Sequence, residues 1–106
     1  NLYIVTNRQS KKLALVEVQK LGIEEYFSDI LVTEQKKTKI ELIKECVSYS
    51  KEDTLVGDTG EDINAAHSLN IKPIAVSWGI MDEEILKEYK PQRIVRKVEE
   101  LESCFI

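Results

Sequence analysis

Breakers are scarce in this chain: four glycines and two prolines interrupt 106 residues. That excludes a collagen-like, loop-rich or disordered polypeptide and favours helices with solvated faces, because 32% of the residues are charged and 42% are hydrophobic. Cysteine is equally sparse. Cys46 and Cys104 stand far apart with no metal-ligand spacing, so both are expected to be reduced and mostly structural, as in a cytoplasmic protein. His67, the single histidine, falls inside a helical stretch, which disfavours a general-base role. No apolar run approaches the ~20 residues that span a bilayer, and no signal-peptide pattern is present, so no membrane partner is expected. Nor is there a basic excess. The net charge is −4, from 15 basic and 19 acidic side chains, which argues against binding nucleic acid. Lys11 and Lys12, and the trio Lys36, Lys37 and Lys39, read as solvated surface. An initiator methionine is missing too: Asn1 runs straight into an apolar segment, which reads as a piece of something longer.

What the chain does contain is an alternation of short β-branched runs with helical periodicity. Leu2 to Val5 reads as a parallel strand buried on both faces and ending at Thr6-Asn7. Ser10 is expected to cap a helix through about Leu21, with Leu13, Val16, Val18 and Leu21 inward and Gly22 as its stop. Tyr26 and Phe27 read as core at a corner before a second strand, Ile30 to Val32. Thr38 and Glu41 form a capping-box pattern opening a helix to roughly Tyr49, with Leu42, Ile43, Cys46 and Val47 inward. Thr54 to Val56 is a third strand stopped by Gly57. A helix from Asp62 to about Leu69 follows, then a fourth strand, Ile74 to Val76. The remainder reads as a short helix from Glu83 to Tyr89, a weak strand at Ile94-Val95 and a closing helix from Val98 to Phe105. The pattern specifies an α/β domain over residues 1–106, a three-layer Rossmann-like parallel sheet with helices on both faces. In such sheets function collects at the carboxyl ends of the strands. Those ends are Thr6-Asn7, the run from Gly57 to Asp62, and Ser77-Trp78-Gly79. Trp78 is expected to pack against the final helices.

The strongest local signal is Leu55-Val56-Gly57-Asp58-Thr59-Gly60-Glu61-Asp62-Ile63. Gly57 would permit a sharp exit from the strand and Gly60 a tight loop. Asp58 and Asp62 then stand four residues apart at a loop-to-helix junction. Two carboxylates about 4 Å apart repel by roughly 4 kcal/mol at an effective dielectric near ~20. A hard cation with oxygen ligands, Mg²⁺ foremost, would relieve that repulsion. A plain alternative is a helix capped by one of these aspartates. At the end of the first strand, the Thr6 hydroxyl and the following N–H groups could bind a phosphoryl oxygen. Lys39 opens a helix, where the dipole disfavours a cation unless an anion lies nearby.

In order, a strand ending in Thr6, a lysine at a helix start, and a strand followed by Gly57-Asp58-x-x-x-Asp62 resemble motifs two, three and four of the haloacid dehalogenase superfamily. The run from Gly57 to Ala66 resembles the fourth motif of its phosphatase branch, and Ile74 to Gly79 the strand after it. The resemblance covers essentially the whole chain. It implies that Thr6 and Asn7 bind the phosphoryl group and that Lys39 neutralises nucleophile and phosphate, with Lys37 as a rival. Asp58 and Asp62 would be Mg²⁺ ligands. The implied activity is a magnesium-dependent phosphatase-like hydrolase acting on a small phosphorylated metabolite. That chemistry needs in-line geometry and charge neutralisation.

The family's first motif, an apolar strand ending in D-x-D that supplies the nucleophile, has no counterpart here. The aspartates are Asp29, Asp53, Asp58, Asp62 and Asp82, and no two are spaced i, i+2. The cap segment that usually follows is absent as well. These 106 residues are therefore expected to be inactive alone, with the missing strand falling between those that carry Thr6 and Asp58. That favours strand exchange or a homodimer. The alternative is a non-catalytic or receiver-like α/β regulatory or binding module. Receivers, however, place an acidic pair after the first strand, where this chain has Thr6-Asn7.

Overall fold

The structure, a computed structural model, describes residues 1–105. They form two compact units, Asn1–Ser48 and Tyr49 onward.

In the first unit β1 (Tyr3–Thr6) pairs in parallel with β2 (Asp29–Val32), in the register Tyr3 with Asp29 through Thr6 with Val32. Thr33 extends the ladder by donating its N–H to the Thr6 carbonyl at 3.0 Å. Helix α1 (Lys11–Lys20) connects the strands, with the Ser10 hydroxyl accepting from the Leu13 N–H. Ala14 and Val18, four residues apart, close the core against Ile30 and Val32, with Ile4, Leu15 and Ile23 around them. The expected inner stripe of Leu13, Val16 and Leu21 is corrected. Leu13 is 67% exposed and Leu21 is exposed too; only Val18 of that set is buried. Periodicity fits two neighbouring stripes here, and the strands accept the smaller, Ala14-containing one. Tyr26, expected in the core, is 63% exposed at the end of a 3₁₀ turn, Glu24–Tyr26, and Phe27 is half-buried. β1 is half-buried rather than enclosed on both faces, because its one strand partner is β2.

Helix α2 (Lys39–Cys46) packs on the same strand pair. Its capping box is complete, with the Glu41 N–H donating to the Thr38 hydroxyl and the Thr38 N–H donating to the Glu41 carboxylate, both at 3.1 Å. It stops at Cys46 rather than near Tyr49, since Val47 is extended (φ −119°, ψ 131°) and opens a β-branched, serine-containing run that propagates a helix poorly. Leu42 and Ile43 are buried as expected, whereas Cys46 is exposed and Val47 half-buried.

In the second unit β3 (Thr54–Gly57), β4 (Lys72–Val76) and β5 (Arg93–Val95) form a parallel sheet in that order. Successive side chains of β4 point to opposite faces, and the two faces carry separate cores. On one face Ala75 packs with Ile63 of α3 (Gly60–Leu69) and Leu86 of α4 (Glu83–Glu88). On the other, Ile74, Val76 and Val95 pack beneath Leu101 of α5 (Val98–Glu102) and Cys104. This unit therefore has helices on both faces of a parallel sheet, the Rossmann-like arrangement. Asn70, in the left-handed region at φ 56°, ends α3. The closing helix gives way to a 3₁₀ turn at Ser103–Phe105.

Candidate functional site

At the carboxyl end of the first unit's strands lie Thr6, which is half-buried, and Asn7, which is exposed. Beside them the chain leaves Thr33 in a turn closed by the Lys36 N–H on the Thr33 carbonyl at 2.9 Å. Both central residues, Glu34 (φ 52°) and Gln35 (φ 61°), are left-handed, an uncommon conformation for non-glycine residues. The turn delivers the chain to Lys39, the first residue of α2, whose side chain is half-buried. Lys37 is exposed and ion-paired with Glu45, and the hydrogen bond it donates to that carboxylate raises its pKa. Its charge is already answered within the unit.

The second unit holds Asp58 and Asp62, where β3 hands over to α3. The helix begins at Gly60, two residues before the expected start, and its cap is neither aspartate. Thr59 is the N-cap, and its hydroxyl accepts from the Asp62 N–H at 3.4 Å. The plain reading of an aspartate-capped helix is thereby corrected. The signal was present in the sequence: Thr59-x-x-Asp62 has the capping-box spacing.

Asp62 is 7% exposed, an unusual burial for a carboxylate. It receives the Thr59 hydroxyl at 3.1 Å and sits in the first turn of α3, where the helix dipole favours negative charge. Asp58 is half-buried and receives the Ile80 N–H on Oδ2 at 3.1 Å, from the turn after β4. Two glycines make room for these carboxylates. A Cβ on Gly57 would lie 2.4 Å from Asp62 Oδ2, and one on Gly79 would lie 2.2 Å from Asp58 Oδ2. Neither glycine has a positive φ. The expectation that Gly57 serves a sharp strand exit is therefore replaced by a different reason, the close approach of Asp62. Gly60 is likewise chosen for space rather than a tight loop, since a Cβ there would meet the Tyr89 ring at 2.1 Å.

These carboxylates suit a hard cation that takes one or two carboxylates and keeps several waters. Among the described residues no group of three or more His, Cys, Asp or Glu side chains forms a self-sufficient metal cage. Other candidates fall outside this chemistry. His67 is exposed, and its Nε2 lies 3.0 Å from the carbonyls of both Tyr89 and Lys90, so it caps the end of α4. Trp78 is 47% exposed rather than enclosed by the final helices. No helix among the described residues is long and apolar enough to cross a membrane.

A family model of haloacid dehalogenase-like hydrolases matches residues 1–76. The chain belongs to the haloacid dehalogenase-like hydrolases. A protein of Caldanaerobacter subterraneus that bears the name pyrophosphatase PpaX is 30% identical over 109 aligned residues, covering 92% of this chain and 47% of that protein. A haloacid dehalogenase-like family hydrolase from Streptococcus pneumoniae superposes with a TM-score of 0.87 at 25% identity, over 99% of this chain and 52% of that one. A Clostridium difficile protein described as a phosphatase superposes at 0.82 and 25% identity, over 96% and 52% respectively. The chain thus spans about half the length of the relatives it matches.

Proposed function

We propose that this chain carries the phosphate- and metal-binding half of a magnesium-dependent phosphomonoesterase, with the nucleophilic aspartate lying outside the 106 residues. In this reading Asp58 ligates Mg²⁺ and Asp62 supports or joins the coordination. Thr6 and Asn7 hold the phosphoryl oxygens, and Lys39 neutralises the charge gathered there. Lys39 is preferred to Lys37 because it opens the capped helix α2. Mg²⁺ would supply charge neutralisation at the transferring phosphoryl group. The substrate class is a small phosphorylated metabolite, and inorganic pyrophosphate belongs in the test panel because of the name borne by the relative.

The observation that carries this reading is the environment of Asp58. Its carboxylate directly follows β3, is spared from helix capping by Thr59, and is held by a backbone N–H against a glycine. A carboxylate fixed in this way is ready to ligate a cation with little reorganisation.

The test compares p-nitrophenyl phosphate hydrolysis by the 106-residue chain and by a polypeptide extended through the sequence upstream of Asn1. The expected result is Mg²⁺-dependent turnover by the extended protein, reduced at least about a hundredfold by Asp58→Asn, and none by the short chain. Turnover by the short chain, abolished by Asp58→Asn, overturns the assignment of the nucleophile. Full activity of Asp58→Asn in the extended protein overturns the metal assignment.

A further inference from the structure

Three contacts converge on the turn between β4 and α4. The two at residues 79 and 80 are not explained by the packing of the core, although Met81 also packs on the Ile63–Ala75–Leu86 cluster. Asp58 lies against Gly79 along its whole length. A Cβ there would fall 2.2 Å from Oδ2, 2.4 Å from Cβ and 2.7 Å from Cγ. Gly79 is not in the left-handed region, so backbone conformation does not call for glycine; the space taken by Asp58 does. The next residue, Ile80, donates its N–H to Asp58 Oδ2 at 3.1 Å, while its side chain is 84% exposed. Position 80 thus contributes a main-chain donor and almost no packing. The third residue, Met81, accepts the Gly60 N–H on its sulfur at 3.2 Å, engaging the first residue of α3.

We infer that residues 79–81 form a strap that fixes the rotamer of Asp58, and that Gly79 is a positioning residue for the cation held by that carboxylate. The inference rests on the metal-binding reading of Asp58 given above and adds to it the device that sets the ligand geometry. With Oδ2 held by the Ile80 N–H, the Asp58 carboxylate would meet a cation in a fixed orientation. The strap acts at two points of one loop: it clamps the carboxylate through residues 79 and 80, and through Met81 it engages the helix that carries Asp62. Moving residues 79 and 80 outward by the width of one methyl group therefore misaims Asp58, while Met81 stays packed on Ile63, Ala75 and Leu86. Groups that orient a metal ligand are worth about 10- to 100-fold in metal affinity.

The experiment uses the 106-residue chain, with amide hydrogen exchange by NMR and Mn²⁺ binding by water-proton relaxation. In the wild type the Ile80 N–H is expected to be protected from exchange, although it belongs to no helix or strand ladder. Protection is lost in Asp58→Ala and in Gly79→Ala. Gly79→Ala is also expected to weaken Mn²⁺ binding at least about tenfold, while the amides of Ile63 and Ala75 keep their protection. A merely structural glycine would lower protection in that core and not selectively at residue 80. Unchanged Mn²⁺ affinity in Gly79→Ala, or an unprotected Ile80 amide in the wild type, overturns the proposal. A protected Ile80 amide in a wild-type chain that binds no Mn²⁺ sinks the metal reading alone and leaves the clamp on Asp58 supported. Should Gly79→Ala fail to fold, the pair Asp58→Gly with Gly79→Ala decides. Recovered folding supports the strap, and continued unfolding contradicts it.

Discussion

Replacing Gly57 by alanine tests the packing beneath the carboxylate loop, and the structure fixes even the sign of the effect. In a strand interior, glycine to alanine ordinarily stabilises by about 0.5–1 kcal/mol, because glycine gives up more chain entropy on folding. Here the new methyl would lie 2.4 Å from Asp62 Cβ and Oδ2 and 2.5 Å from Cγ, where carbon atoms normally stay about 3.5–4.0 Å apart. Relief therefore needs a displacement of more than ~1 Å. Cβ cannot swing away, since it is fixed to the backbone of α3, and α3 is anchored by the buried Ile63 and Ala66. The overpacking cost belongs at the upper end of the usual range, about 3 kcal/mol, so the net destabilisation is roughly 2 kcal/mol. For a unit of this size, thermal unfolding followed by circular dichroism should show a fall on the order of 10 °C. The double variants grade the effect. In an Asp62→Ala background the penalty persists, because Cβ remains; in Asp62→Gly it disappears and the ordinary gain returns. A Gly57→Ala protein as stable as the wild type, or equally destabilised in the Asp62→Gly background, would refute this reasoning.

Other perturbations have equally definite outcomes. Thr38→Ala breaks the capping box of α2 and should destabilise the chain by about 1 kcal/mol in urea unfolding, with an unchanged denaturant slope. Gln35→Gly relieves a left-handed non-glycine residue and should stabilise by up to about 1 kcal/mol, provided the turn after β2 stays as it is; a loss of stability would show that the Gln35 side chain is needed there. The guanidinium of Arg96, hydrogen-bonded to Glu83, holds that carboxylate below its ordinary pKa, with the Arg96 and Lys87 charges assisting. Because the folded-state pKa is the lower one, the contribution is present above the ordinary glutamate pKa and is lost as pH falls through the depressed one. A carboxyl-detected titration should place Glu83 below the ordinary glutamate value, and Arg96→Gln should raise it; no change on losing Arg96 would contradict the assignment.

The sequence revealed the order of elements and the residues at strand ends because both rest on local signals. β-branched runs, the Thr38-Glu41 box and the Gly57-Asp58 exit are each written within a few residues. Which face of α1 is buried was not local. Leu13, Val16 and Leu21 are apolar, yet the strands select the stripe through Ala14 and Val18, a tertiary choice that periodicity alone does not make. Tyr26 was misread for a similar reason, since an aromatic ring in a corner is buried only if a neighbour covers it. For Gly57 and Gly60 the sequence suggests backbone freedom, whereas the structure shows a need for space. Gly57, Gly60 and Gly79 provide room for Asp62, Tyr89 and Asp58, partners that folding brings together from five, 29 and 21 positions away. The Ile80 donor had no sequence signature, because a main-chain N–H is common to nearly every residue type.

The central proposal is that Asp58, at the carboxyl end of β3, holds a divalent cation. Paramagnetic broadening by Mn²⁺ tests it most directly, in the polypeptide extended upstream of Asn1. The expected result is broadening of the Asp58 and Asp62 amides, lost in Asp58→Asn. Asp58 and Asp62 amides that stay sharp in Mn²⁺, or that broaden equally in Asp58→Asn, would contradict it.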